Sequence, residues 1–331
     1  MDHLPADVER HLVSYMVTRA VCVLRCASRS FREASLYYEP SSKFIKGPLR
    51  YLIRSFPYVK HLHLPCLHYT EEDFSYLKNV SSLALESYIL PSYFKHTNLR
   101  SLELRGCTHA LTDEMFDWLI PLQRLKIDGN RKVTNAGLKK LVNLTDLCIH
   151  CVDNITDEGL STMSKLTRLD IYKINITDNV FQYLPELKEL MMTFGDISIA
   201  GILQLKKLES LITLSCAGIT HFRGLDTLTS LTKVSLSYAF VNDEDLSYMK
   251  HVKYIALYCT NYVRGEGFQH LHNAAYVSLH RLNIHDAHVD ILCTLPKIQR
   301  LYMYECKSVS NAKKLEWLHK LPDTVHTDAK F

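Results

Sequence analysis

The sequence predicts an α/β solenoid. In it, stacked repeats lay a parallel sheet along the concave face of a horseshoe and short helices along its convex face, behind a small all-α segment at the N-terminus. Three observations predict this. The apolar signature Leu-x-x-Leu-x-Leu returns twelve times, roughly every twenty-two residues, and a fixed period of that length marks a stacked-repeat chain. Each signature alternates apolar and polar residues, which is strand period. Each is followed by a capped segment with apolar residues three apart, which is helix period.

The strongest copies are Leu99, Leu102, Leu104; Leu122, Leu125, Ile127; Leu166, Leu169, Ile171; Leu187, Leu190, Met192; and Ile298, Leu301, Met303. Weaker copies begin at Val59, Val80, Leu144, Leu208, Leu231, Val252 and Ala274. Thr112, Thr134, Thr156, Thr177 and Asn242 stand where helix N-caps belong. Acidic residues follow four of these five, where the helix dipole favours them. The pairs Phe116 and Leu119, Leu138 and Leu141, Leu160 and Met163, Phe181 and Leu184, and Phe268 and Leu271 then pin each short helix inward. One such unit cannot bury its own apolar side, so stacking is obligatory. These units resemble the leucine-rich-repeat family over residues 59–321, with a tail at 322–331.

Ten cysteines occur in the chain. Cys107, Cys216 and Cys306 share one repeat position, eight residues after the first apolar residue, where Asn130 and Thr260 stand in other repeats. They read as small packing residues at the turn out of the strand. The N-terminus lacks the basic start and apolar run of a secretory signal. The expected compartment is therefore cytoplasmic or nuclear and reducing, with free thiols. No stretch reaches the ~18 apolar residues of a membrane helix. The net charge of +4, from 39 basic and 35 acidic residues, gives no argument for nucleic acid.

Upstream of the repeats, residues 1–40 carry a different pattern, joined by a linker or cap at 41–58. Val8, Leu12, Tyr15 and Met16 have helical spacing, as do Val21, Leu24 and Ala27. The opening Leu4-Pro5-x-Asp7-Val8, the helix end Ser14-Tyr15-Met16 and the closing Ala27-Ser28-Arg29-Ser30-Phe31 resemble an F-box. Met16 departs from that family's usual leucine, and Val17-Thr18-Arg19 lacks its frequent proline. An F-box ahead of leucine-rich repeats is a familiar pairing. The resemblance implies docking on a Skp-type adaptor through Leu4, Pro5, Val8, Leu12, Tyr15, Met16, Val21 and Leu24, and through it on a cullin–RING ligase. The implied function is the substrate-recognition subunit of a Skp–cullin–F-box ubiquitin ligase, with the repeats binding an unknown target protein. The alternative is an intracellular leucine-rich-repeat scaffold or inhibitor without a ligase, whose N-terminal helices only cap the repeats.

Residues flanking the core leucines face the concave surface. Basic and aromatic side chains there are the target-binding candidates: Arg105, Arg124, Lys126, Arg168, Tyr172, Tyr254, Tyr258, Tyr276, Arg300, Tyr302 and Tyr304. Tyrosine and arginine dominate binding hot spots, although tyrosine also suits any half-exposed strand. No phosphate-binding glycine loop or zinc-protease motif occurs. The Cys148-Ile149-His150-Cys151 stretch lacks a second pair at zinc spacing. The expectation is accordingly no catalytic residue, no metal, no cofactor, and neither nucleic acid nor membrane as partner. The sequons at Asn154 and Asn175 coincide with the expected caps Thr156 and Thr177.

Overall fold

The computed structural model describes residues 49–64, 67–86, 89–105, 111–216, 218–260 and 262–320. The adaptor-docking candidates Leu4 to Leu24, Cys107 and the tail 322–331 lie outside the described residues. The chain divides between Ile155 and Thr156 into two compact units.

The first unit holds the parallel strands β1 (His61–Leu64), β2 (Ser82–Leu85), β3 (Ser101–Leu104), β4 (Arg124–Asp128) and β5 (Asp146–His150), each paired with the next. The second holds β6 (Arg168–Tyr172), β7 (Glu189–Thr193), β8 (Ser210–Leu214), β9 (Lys233–Ser237), β10 (Tyr254–Tyr258), β11 (Tyr276–His280) and β12 (Arg300–Tyr304), paired in the same manner. Register keeps like residues abreast. Leu62, Leu83, Leu102, Leu125 and Leu147 form one buried row, and Leu64, Leu85, Leu104, Ile127 and Ile149 the next. In the second unit the corresponding rows run from Leu169 to Leu301 and from Ile171 to Met303. Thr213 is the one polar rung and is buried.

The short helices follow as expected, about half of them as 3-10 turns such as Asp113–Trp118, Asp178–Tyr183 and Glu266–His270. Segments this short do not hold themselves together in water. Their expected apolar pins are buried without exception, from Phe116 and Leu119 to Phe268 and Leu271. Asn130, Thr260, Cys216 and Cys306 are also buried, and burial pushes the Cys216 thiol up. The six described cysteines are free thiols.

Two recurring devices join neighbouring repeats among the described residues. The first is a left-handed residue just past the strand. Gly129, Cys151, Lys173, Phe194, Ser215, Tyr238, Cys259, Arg281 and Glu305 all have φ between 48° and 67°. The amide of this residue donates to the last carbonyl of the following strand, as from Phe194 to Leu214 (3.2 Å), Ser215 to Ser237 (2.9 Å) and Tyr238 to Tyr258 (2.9 Å).

The second device revises the reading of the helix caps. Of the five expected caps, only Thr134 and Thr177 stand at their helix's cap position and accept a bond within it, from Ala136 and Asn179. Thr112 makes none, and its hydroxyl is buried and unpaired. Asn242 accepts from Asp245 but stands two residues ahead of its helix's own cap position, Glu244. The acidic residue after the cap does more. Asp113 accepts from the amide and hydroxyl of Thr134, Asp157 from those of Thr177, Asp178 from those of Ser198, and Asp286 from those of Ser310. Each carboxylate thus spans from one repeat to the cap of the next. A glycine makes room where the fit is closest: a Cβ on Gly201 would lie 2.3 Å from Asp178 Oδ1, and one on Gly137 2.1 Å from Asp113 Oδ1.

Asp178→Ala removes two charge-assisted bonds and is expected to cost about 2–3 kcal/mol. Gly201→Ala is expected to cost about 1–3 kcal/mol by overpacking. Glu114, exposed in a comparable first turn, is the control, and Glu114→Ala should stay within about 0.5 kcal/mol. Chemical denaturation of the full chain checks all three.

Candidate protein-binding face

Every strand presents its alternate residues on the open face of its sheet, because the other set enters the core. The candidate residues lie there as expected, and the two units differ in chemistry.

In the first unit the charges neutralise one another. Arg105 follows β3 and lies 2.8 Å from Glu103 and 3.7 Å from Glu86. Lys126 on β4 lies 3.1 Å from Glu103, and His63 on β1 lies 2.9 Å from Glu86. Partial burial pushes the Glu103 carboxyl up, but hydrogen bonds from Arg105 and Lys126 outweigh this and hold it below the usual carboxylate range. Arg124 opens β4 and is exposed. Cys148 is buried on β5, its sulfur 3.3 Å from His150 Nε2, while Cys151 occupies the left-handed turn.

The second unit begins with a similar pair, Arg168 to Glu189 at 3.5 Å. From β8 to β12 the face changes. Its fifteen positions carry no acidic residue: Ser210, Ile212, Leu214, Lys233, Ser235, Ser237, Tyr254, Ala256, Tyr258, Tyr276, Ser278, His280, Arg300, Tyr302 and Tyr304. Register sorts the aromatic ones into two rows. Lys233, Tyr254, Tyr276 and Arg300 lie abreast. The two rings are 6.3 Å apart, with Lys233 5.5 Å from Tyr254 and Arg300 5.5 Å from Tyr276. The other row joins Tyr258 to His280 at 4.2 Å and His280 to Tyr304 at 5.5 Å. Between the rows lie Ser235, Ala256 and Ser278, the last two buried. Ile212 and Tyr302 close this small-residue floor at its two ends. Burial, with Tyr258 and Tyr302 adding to it, pushes the Tyr254 phenol up and keeps it a hydrogen-bond donor.

Sequence reasoning missed a further set. Phe194, Tyr238, Phe240 and Tyr262 are 48%, 57%, 49% and 57% exposed at the C-terminal ends of the strands. Phe194 meets Tyr172 edge to face at 5.8 Å with Lys173 against both rings, and Phe240 pairs with Tyr262 at 5.9 Å. Phe194 and Tyr238 sit at the left-handed turn with φ 53°. A non-glycine residue there costs about 1–2 kcal/mol. That cost is shared by every such turn from Cys151 to Glu305 and belongs to the repeat; it is the exposed aromatic clusters that mark an interaction surface. The available signal was an aromatic at the repeat position that Gly129 holds.

If the Tyr238 ring serves binding and not folding, Tyr238→Gly leaves the unfolding midpoint unchanged or raised by up to about 1 kcal/mol, strain relief outweighing glycine's entropy cost. Phe222→Ala, in the buried core, should lose about 3–5 kcal/mol. For the Glu103 network the sign follows from its lowered pKa. The stabilisation is full above the unfolded glutamate value of about 4.3 and is lost as pH falls through the lower folded value. The melting-temperature gap between the native chain and Glu103→Gln should therefore shrink below about pH 4.

No protein-family model matches the sequence, and no curated protein matches it. Solved structures do. An internalin (inlF) from Listeria monocytogenes is similar at 15% identity and a TM-score of 0.56, over 78% of this chain and 88% of that one. A chain of the Rad7 and Elc1 complex in yeast is similar at 15% identity and a TM-score of 0.57, over 92% of this chain and 90% of that one. These likenesses establish the fold, a leucine-rich-repeat solenoid.

Proposed function

We propose that this chain is the substrate-recognition subunit of a Skp–cullin–F-box ubiquitin ligase. The observation that carries the proposal is the F-box-like pattern, from Leu4-Pro5 to Phe31, directly ahead of a repeat array. Support comes from the second structural neighbour, which was solved in a complex of two proteins, Rad7 and Elc1. In this reading residues 1–40 dock on the Skp-type adaptor and thereby on a cullin–RING ligase. About forty residues cannot bury a self-sufficient core, so their apolar side chains serve a partner's helices. The repeats hold the target protein on the open faces of their strands. The chain itself supplies no catalytic group and no cofactor. It acts by proximity, raising the effective concentration of target lysines at the ligase's reactive thioester. Its place of action is the cytoplasm or nucleus.

The purified full chain should form a stable complex with a Skp-type adaptor in size-exclusion chromatography. Leu4→Asp with Leu12→Asp should weaken it at least about a hundredfold, since unpaired charges enter a desolvated contact. The repeats should keep their melting temperature in that variant. A native chain that ignores the adaptor leaves the scaffold reading in its place.

A further inference from the structure

We infer that the partner segment held on β8–β12 is an extended peptide with acidic residues at positions i and i+4 and an apolar residue at i+2. This rests on the reading that the repeats hold a target protein, and it names the chemistry of what they hold.

The charge argument comes first. Lys233 and Arg300 are the two cations on a five-strand face without an acid. Neither makes an ion pair among the described residues, in contrast to Arg105, Lys126 and Arg168 on the other strands. Each instead flanks a tyrosine ring, which fixes its position at an end of the Lys–Tyr–Tyr–Arg row. Two carboxylates are the complement this row lacks.

The spacing argument is independent of it. Lys233 and Arg300 stand on β9 and β12 in register, three strand spacings apart. At about 4.8 Å per spacing this is ~14 Å. An extended chain covers ~13 Å in four residues. Residues i, i+2 and i+4 of such a chain point to the same side. Acids at i and i+4 therefore reach the two cations together, and residue i+2 points down at the middle of the row.

Beside that point, two residues further along each strand, lies the floor of Ser235, Ala256 and Ser278, between the two aromatic rows and closed by Ile212 and Tyr302, so the i+2 side chain passes the Tyr254 and Tyr276 rings to reach it. The small, buried Ala256 and Ser278, flanked along their strands by Tyr254, Tyr258, Tyr276 and His280, form a recess for one apolar side chain, the arrangement of a hot-spot anchor ringed by water-excluding contacts. A single-stranded nucleic acid would also stack on tyrosines, but its regularly spaced phosphates call for more than two cations over this length.

Fluorescence anisotropy on the full chain tests the inference with three labelled peptides, the first two of one composition. The first has a Glu-Ser-Leu-Ser-Glu centre. The second has its acids at i and i+2, and the third has lysine for both glutamates. A labelled oligothymidylate is the fourth probe. The first should bind at least about fivefold more tightly than the second and more tightly still than the third. Exposed ion pairs of up to ~1 kcal/mol each set that scale. Lys233→Glu and Arg300→Glu should each remove the preference for the first peptide. Lys233→Glu should regain affinity for a peptide with lysine at the matching end. Equal binding of the first two peptides, indifference to both variants, or tighter binding of the oligonucleotide overturns the inference. Adaptor capture by the same preparations separates this failure from failure of the ligase reading: capture without peptide discrimination refutes only the segment chemistry, and discrimination without capture refutes only the ligase.

Discussion

After every strand from β4 to β12, one residue enters the left-handed region so that the chain can leave the strand and turn inward. Where a strand follows, the amide exposed by that turn donates to its last carbonyl, as from Gly129 to His150 and from Tyr238 to Tyr258, and so ties the kink to the next repeat. The residue after the kink is then driven into the core, whether it is Asn130, Val152, Cys216, Thr260 or Cys306. The side chains differ because the backbone geometry and the lateral bond set the position, and the buried space accepts any small or apolar group. The carboxylate that bridges to the next cap does the same work on the helical side. Stability in this chain is thus a property of neighbouring pairs.

That repetition frees the open face. Strand residues pointing outward contribute nothing to the buried rows, so their chemistry can change from one stretch to the next without disturbing the fold. Around β1 to β4 the charges pair with one another, and exposed pairs of this kind add little to stability. On β8 to β12 acids disappear, rings accumulate, and the two cations lean on tyrosine. A face whose polar groups are already matched offers a partner little. A face with unmatched cations around a recess offers both orientation and buried area.

The repeat architecture was legible because period, strand alternation and apolar spacing all report on the same demand, burial of one side. The rows of leucines, the inward pins and the buried turn cysteines Cys216 and Cys306 follow from that demand and stand where they were expected. The caps were less legible. Thr134 and Thr156 look alike in sequence, but only Thr134 caps its own helix, a difference set by local geometry that the pattern does not carry. The bridging carboxylates were read as helix-dipole partners, since their second acceptor lies about twenty residues away in the chain.

By itself the sequence determined the repeat, the strand and helix of each unit, and which residues face the core or the open side, because all of these rest on contacts local to one period. It also located the tyrosines. Only tertiary structure decided their arrangement in two rows around a small-residue floor, the pairing that silences Arg105 and Lys126, and the exposure of Phe194 and Tyr238 at strained turns. Those features depend on the lateral register of neighbouring strands and on backbone angles closed by the next repeat, and neither is written in the pattern of any single unit.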